Sequence, residues 1–313
     1  MACRLSVHTQ TDMKESDLIT GAGGLLGHYL IKEFNDQKVK TLGLKEKNDY
    51  VVDLARTTPS FGTEIFDTVI HAAGTEDDTK AMELNLEGTR NLLNALEINP
   101  PQNFVYISSY KVYSRDAGEN VDEDTNTWAS DDTGKSKALA EDLVKDWCGK
   151  REITLTIIRP ARMFGKGVKG ETLRLFNDAI SGKYIHIRDN NAKISLVCAL
   201  DVARALKTVY KKGGLYNASD NIPRKFIEMV ESMTANVGAK KRMTHLPAAW
   251  AEWVWRIGRI FPSIQRNLSP QVVEQRMKSL TLDSSRIHKA SGIKFHDSIA
   301  VIERRDKDYP YEE

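Results

Sequence analysis

The order of the apolar runs constrains this chain more than any single residue does. "DLIT" (17–20), "KVKTLGL" (38–44), "YVVDL" (50–54), "DTVIHAAG" (67–74), "NFVYISS" (103–109), "ITLTIIRP" (153–160) and "LYNAS" (215–219) are strand-length, and helical patterns stand between most of them. These runs are apolar rather than alternating, so both faces of the strands must be covered. Strand, helix and strand in turn predict a parallel sheet with right-handed crossovers and helices on both faces. Helices are expected over 28–34, 80–97, 136–148, 202–212 and 247–261. In 80–97, Met82, Leu84, Leu86, Leu92, Leu93 and Leu96 are expected to face the sheet. In 247–261, Trp250, Trp253, Val254, Ile257 and Phe261 form a stripe that suits a core or dimer contact, or an apolar substrate cover.

The chain has 313 residues, 41% hydrophobic and 28% charged, ordinary for a soluble globular protein. A net charge of +2 gives no reason to expect nucleic acid or an acidic membrane as partner. Cys3, Cys148 and Cys198 lack metal-ligand spacing, so no metal is expected and free thiols in a reducing compartment are the simplest reading. No apolar run approaches the roughly 20 residues of a membrane span, and residues 1–16 read as a polar arm without the apolar centre of a secretory leader. A cytoplasmic protein is expected, with Met13 as an alternative start.

"TGAGGLLG" (20–27) follows a strand and precedes a helix, with Gly21, Gly24 and Gly27 spaced three apart. Glycine permits a tight turn and close backbone approach, and a helix N-terminus offers unpaired N–H groups to a pyrophosphate. The strict G-x-G-x-x-G pattern fails because residue 26 is Leu, so a ligand-free turn stands as the alternative. "HAAG" (71–74) ends a strand where ligands bind in open α/β sheets. Asp53 is a candidate acceptor for an adenine amino group, or a solvated loop carboxylate.

Together with these stretches, "VVDL" (51–54), "VIHAAG" (69–74), "NLEGTRNLL" (85–93), "FVYISSYKVY" (104–113), "SKALAE" (136–141), "IIRPARMFGKG" (157–167), "LVCALDVARAL" (196–206) and "YNASD" (216–220) occur in family order. On them the chain resembles the extended short-chain dehydrogenase/reductase family, the NAD-dependent epimerase/dehydratase group, over about residues 17–220. The resemblance implies an α/β fold: a Rossmann-type doubly wound parallel sheet with a smaller C-terminal substrate lobe. The Rossmann domain would span 17–165 with returns at about 194–220, and the lobe 166–193 and 221–313. It also implies bound NAD(P), held by Gly21, Gly23, Gly24, Leu25, Leu26, Gly27, Lys45, Asp53, Leu54, Ala72, Ala73, Gly74, Asn91, Ile107, Lys137, Arg159, Pro160 and Ala161. A homodimer through the helices near 80–97 and 136–149 is expected on the same ground.

The family's catalytic set is a Ser or Thr, a Tyr, and a Lys four residues after that Tyr. Ser109 and Lys137 match, but Thr133 occupies the tyrosine position, and none of the ten tyrosines has a lysine four residues on. An aliphatic hydroxyl cannot ionise near neutral pH as a tuned phenol can. General acid–base help is typically worth about 10²–10⁴-fold. Tyr110, Lys111 or a water held by Thr133 are the candidate substitutes, with Tyr110 otherwise packed beside the strand end and Lys111 a solvated loop lysine. The expected function is an epimerase/dehydratase-like oxidoreductase acting on a nucleotide sugar or another hydroxyl or carbonyl compound, with atypical or impaired catalysis. The alternative is a catalytically inactive NAD(P)-binding sensor or partner-binding protein. "YKVY" after Ser109 lacks the Asp-Glu pair used for elimination by 4,6-dehydratases of the family, which disfavours that chemistry. Lys45 and Lys47 after the second strand lean slightly toward NADP. Arg162 and Arg276 are phosphate-binding candidates or ordinary exposed arginines.

Overall fold

The computed structural model describes residues 16–235, 243–258, 261, 264 and 268–303. Its centre is a seven-stranded sheet. In chain order the strands are β1 (Ser16–Thr20), β2 (Val39–Gly43), β3 (Tyr50–Val51), β4 (Phe66–His71), β5 (Asn103–Ile107), β7 (Thr154–Pro160) and β12 (Gly214–Ala218). In space they run β12-β7-β5-β4-β1-β2-β3, and every neighbouring pair is parallel. Alternate residues serve opposite faces. Ile19, Ile70, Val105 and Ile158 join one apolar layer with Leu26, Tyr29 and Leu30 of α1 (Leu25–Glu33) and Val202, Ala205 and Leu206 of α6 (Ala199–Val209). Leu18, Val69, Phe104, Tyr106 and Ile157 join the other, with Leu92, Leu93, Val144 and Trp147. Burial on both faces is why these strands read as unbroken apolar runs.

Two expectations change in detail. The third strand, expected over 50–54, pairs only at Tyr50 and Val51; the Val52 N–H still donates to the Gly43 carbonyl, and the chain then turns at Asp53, whose carbonyl accepts from the Arg56 and Thr57 N–H groups. The helix expected over 80–97 is three joined segments, Asp78–Ala81, a π-helical Met82–Glu87 and Gly88–Ala95. Leu92, Leu93 and Leu96 are buried as expected, and Leu84 and Leu86 are half-buried against the sheet, but the wider π turn leaves Met82 exposed and brings Ala81, Asn85, Gly88 and Thr89 inside.

Helix α4 (Asp132–Gly149) starts four residues before the expected 136. Asp131 caps it, its side chain accepting from the Gly134 N–H at 2.8 Å. Among the described residues the remainder adds a small sheet, β13 (Arg224–Lys225), β10 (Lys193–Ile194), β15 (Leu280–Leu282) and β6 (Gly118–Val121), and two two-stranded pairs, β8 (Arg162–Phe164) with β11 (Leu196–Cys198) and β9 (Ile185–Ile187) with β14 (Thr244–Leu246). The helix α5 (Gly170–Ile180) lies between them in sequence. Of the arm expected over 1–16, Ser16 belongs to β1, and 1–15, with Cys3, lie outside the described residues. The helix expected over 247–261 is α8 (Ala248–Gly258), with 259 and 260 outside the described residues. Its stripe is not core, since Trp250, Trp253, Ile257 and Phe261 are all exposed. Cys148 and Cys198 are buried and neither is in a disulfide. Among the described residues no helix is long and apolar enough to cross a membrane, and no cluster of possible metal ligands occurs.

Candidate active site

The carboxyl ends of β1, β4, β5 and β7 open into a cleft of about 450 Å3. Gly24, Leu25, Leu26, Gly27, Ala72, Gly74, Ile107, Ser109, Thr133, Lys137, Pro160 and Ala161 all line it. Most of the residues named from the sequence therefore converge. Gly21 supports the wall from behind. Its φ is +70°, and a Cβ there would lie 2.5 Å from the Ala73 nitrogen. At Gly27 a Cβ would run into the carbonyl of Gly21. These two positions let the loop press against the strand end and the helix start close to it. Gly24 caps α1 without any side-chain hydrogen bond, and its first turn carries no acid. The first N–H groups of a helix have no intrahelical partner, and the residues that carry them here, Leu25 to Gly27, line the cleft.

The residue His71 fixes the neighbouring strand end. Its Nδ1 lies 2.7 Å from Thr20 Oγ1 and its Nε2 2.9 Å from Thr89 Oγ1. Thr89 gives its own proton to the Asn85 carbonyl, so Nε2–H donates to Thr89 and Nδ1 accepts from Thr20. The Ala73 N–H in turn donates to Thr20 Oγ1. Burial lowers the imidazole to about 3, which keeps it neutral.

On the opposite wall Lys137 reaches up from α4. Its Nζ donates to the Ile107 carbonyl at 2.8 Å and lies 5.0 Å from the centre of the Tyr106 ring. Burial pushes its ammonium down to about 8, against the opposing pull of Glu141 and Glu76. Ser109 Oγ accepts from the Lys111 N–H at 3.2 Å. Thr133, one turn before Lys137, is tied to a partner 55 residues away. Its Oγ1 donates to Asp78 Oδ1 at 2.6 Å, and its N–H donates to the same oxygen at 2.9 Å.

Other named residues lie elsewhere. Arg159 does not line the cleft. Its guanidinium is buried in the opposite direction, bonded to both carboxylate oxygens of Glu141 and to the Tyr113 hydroxyl. Asn91 donates to the Leu54 carbonyl and holds the loop after β3, where Leu54 is buried. Asp53 caps Ala55 and pairs with Arg56. Lys45 and Gly23 are exposed, and Ala73 sits against the second apolar layer. Tyr110 turns its hydroxyl toward Arg162, at 3.4 Å, away from Lys137. Lys111 is not a solvated lysine: it is 8% exposed, between Asp131 at 3.6 Å and Glu171 at 3.8 Å. Arg162 is buried too, paired with Glu171 at 3.3 Å. With Tyr110, Arg115 and Arg276 it lines a second, much smaller cavity.

Two residues of the site escaped the sequence reading. Asn85 accepts from the Thr75 N–H at 2.8 Å and donates to Ser136 Oγ at 3.0 Å, which locks the cleft floor. A polar residue on the buried side of an apolar helix was the available signal. Asp78 carried none, because its partner Thr133 is remote in sequence.

The sequence model of the NAD dependent epimerase/dehydratase family matches residues 18–219. N-acetyl-alpha-D-glucosaminyl-diphospho-ditrans,octacis-undecaprenol 4-epimerase of Escherichia coli O157:H7 is 28% identical over 253 residues, spanning 75% of this chain and 76% of the relative. UDP-glucuronic acid 4-epimerase from Bacillus cereus, solved in complex with NAD, superposes with a TM-score of 0.71 at 17% identity, covering 92% of this chain and 96% of that one. RMD from Pseudomonas aeruginosa, solved with NADPH, gives a TM-score of 0.68 at 20% identity, covering 92% and 97%. At these identities the two structures establish the fold alone.

Proposed function

The chain belongs to the NAD dependent epimerase/dehydratase family, and from that premise we propose that it is an NAD(P)-dependent oxidoreductase or epimerase acting on a sugar carried by a diphosphate, such as a nucleotide sugar. The supporting observation is the convergence of Ser109, Thr133 and Lys137 on one cleft with the uncapped start of α1. The cleft fits the cofactor. The glycine loop leaves main-chain N–H groups open for a pyrophosphate, and Gly74 leaves room beside Lys137, where a Cβ would stand 2.8 Å from Nζ. Gly24 to Gly27 would hold the pyrophosphate and Lys137 the nicotinamide ribose. The chemistry that NAD(P) would supply there is reversible hydride transfer with a sugar carbon.

The protein's own residues handle the oxygen and its proton. Ser109 keeps its O–H free to donate to the substrate oxygen, since its Oγ only accepts from Lys111. Thr133 already donates to Asp78, so its lone pairs are left to accept. In this reading a substrate hydroxyl passes its proton to Thr133 Oγ1 while the threonine proton moves to Asp78, and the return step reverses both transfers. The pair replaces the family's phenol. Arg162, which is buried, and Arg276, half-buried within the lobe proposed for 166–193 and 221–313, line the second cavity and would meet the substrate diphosphate there. Two copies would pair through the exposed sides of the helices at 78–95 and 132–149, where Met82 and Leu139 are exposed.

The test is a two-stage titration. NAD and NADP in both redox forms are titrated calorimetrically, and the loaded protein is then incubated with UDP-N-acetylglucosamine and UDP-glucose while C4 epimers are separated by chromatography. Cofactor binding with product formation supports the enzyme. Binding without any product across sugar diphosphates favours the second reading, a cofactor-binding sensor whose Thr133 marks lost turnover. Absence of cofactor binding by folded protein defeats both.

A further inference from the structure

Between β8 and α5 the chain crosses the mouth of the cleft. Val168, Lys169 and Gly170 of this crossing line the cleft, together with Thr172 and Arg174 of the helix. The crossing touches both rims. On one side Lys169 Nζ donates to the carbonyl of Gly23, in the glycine loop 146 residues away, at 3.3 Å. On the other side Gly170 lies against Glu76, beyond β4: a Cβ on Gly170 would stand 3.6 Å from Glu76 Oε2. The root of the crossing is pinned to α1. There the Lys166 N–H donates to the hydroxyl of Tyr29 at 2.9 Å, and Tyr29 is itself fully buried.

Beyond that root the crossing is lightly held. Gly167, Lys169 and Gly170 are exposed, and α5 begins without a side-chain cap. The Val168 N–H donates to the Gly165 carbonyl at 3.1 Å, a bond that ties the turn only to itself. At Gly167 and Gly170 φ is +85° and +65°, a region open to glycine and rarely adopted by other residues. The backbone can therefore swing at both positions. The Lys169 clasp is one exposed hydrogen bond to an uncharged carbonyl, and segments with so few buried contacts open locally at little cost. Gly23 immediately precedes Gly24 to Gly27, the residues assigned to the pyrophosphate. An anion seated there comes next to the same ammonium, and a charged phosphate oxygen holds an ammonium more tightly than a carbonyl does.

We propose that residues 165–170 are a strap that opens to admit the dinucleotide and shuts over its pyrophosphate, with Lys169 as the latch. In the empty protein the latch rests on the Gly23 carbonyl. In the loaded protein the pyrophosphate reinforces it, and the closed form gains population by that difference in affinity. The strap then governs how fast the cofactor exchanges. This rests on the reading of the cleft as a dinucleotide site.

The test is limited trypsin cleavage of the full chain, read by mass spectrometry, since Lys166 and Lys169 are exposed cleavage points within the strap. Cleavage after Lys212, in the turn before β12 at the opposite edge of the sheet, is the reference. When cutting is slower than reclosing, its rate follows the open population. Saturating NADH or NADPH, whichever calorimetry shows to bind, should slow cleavage after Lys166 about fivefold, the worth of one exposed ion pair. ADP-ribose, which keeps the pyrophosphate, should do the same, and adenosine, which lacks it, should not. The variant Lys169→Met should release the reduced coenzyme about fivefold faster in stopped-flow fluorescence. It should also be cut faster after Lys166 when empty, because the Gly23 clasp is gone, and Lys169→Arg should restore both rates. Cleavage after Lys166 that ignores bound coenzyme, or that occurs in neither state, overturns the proposal, as does equal protection by adenosine. An unchanged release rate in Lys169→Met overturns it too. Faster release without faster cutting of the empty variant makes Lys169 a phosphate ligand only and removes the latch. A coenzyme that binds without protecting the strap defeats this inference alone, whereas folded protein that binds no coenzyme defeats the dinucleotide reading beneath it.

Discussion

On one wall of the cleft, Gly24 to Gly27, Ala72 and Gly74 offer main chain; on the other, Ser109, Thr133 and Lys137 offer three side chains. The first wall is built on Gly21, Gly24 and Gly27, spaced three apart, and the second carries Thr133 where the family resemblance leads one to expect a tyrosine. The difference has a physical origin. A main-chain wall is a shape, and every Cβ added at Gly21 or Gly27 meets backbone that has nowhere to go. A side-chain wall is a set of reagents, and a smaller reagent can be accommodated when a neighbour such as Asp78 takes its hydrogen bond. Damage to the first wall should therefore abolish binding, and damage to the second should slow turnover with binding intact.

The largest effect is expected from Gly27→Ala. The added methyl collides with the Gly21 carbonyl, and such overpacking costs about 1–3 kcal/mol while displacing the start of α1. Calorimetry should find cofactor affinity reduced more than about 100-fold, with a lower thermal midpoint. Wild-type affinity in this variant would break the contrast between the walls.

The variant Lys137→Met comes next, with an expected loss of about 10³-fold in kcat/KM. The same lysine leaves a signature in stability. Its ammonium is lowered to about 8 by burial, against roughly 10.4 in the unfolded chain. Between those values the unfolded state binds the proton and the folded state does not, so this group makes the protein more stable as pH rises through that window. Below pH 8 both states hold the proton and the full cost of the buried charge remains. The gain is on the order of 3 kcal/mol. Urea titrations at pH 7.5 and pH 10 should show it as a difference between wild type and Lys137→Met, which lacks that slope.

A smaller effect, about 10²-fold in kcat, is expected from Thr133→Val and equally from Asp78→Asn, with KM and cofactor affinity nearly unchanged. Thr133→Ser keeps the hydroxyl and should stay within a fewfold of wild type. Equal activity of the valine and serine variants would remove Thr133 from the proton route and leave its hydrogen bond to Asp78 as a brace for α4.

The two walls also differed in how far the sequence exposed them. Glycine spacing, the apolar runs and the small residues at 72–74 are local, and they located the sheet and most of the cleft, although α1 starts at Leu25, three residues before the expected 28. What stayed hidden depends on pairing across long separations. Asp78 meets Thr133 across 55 residues, and Lys111 is buried because Asp131 and the more distant Glu171 converge on it. Strands of two to four residues, such as Lys193–Ile194 and Arg224–Lys225, form only through remote partners and carry no readable period. Arg159 illustrates the reverse error. Alternation along β7 sends its side chain to Glu141 on the far side of the strand, although Pro160 and Ala161 beside it do reach the cleft.

The smallest effect probes the outer edge of the main-chain wall, where shape gives way to charge. Lys45 stands exposed just beyond β2, its carbonyl accepting from both the backbone and the side-chain amide of Asn48. That turn holds the backbone, so Lys45→Ala should leave the fold and NADH affinity untouched. An exposed ion pair is worth up to about 1 kcal/mol, so NADPH affinity should fall roughly two- to fivefold. The loss should shrink further in 0.5 M salt. Discrimination that survives Lys45→Ala unchanged would move the choice of cofactor from charge at the rim to shape within the wall, and the glycine loop would then select the cofactor as well as seat it.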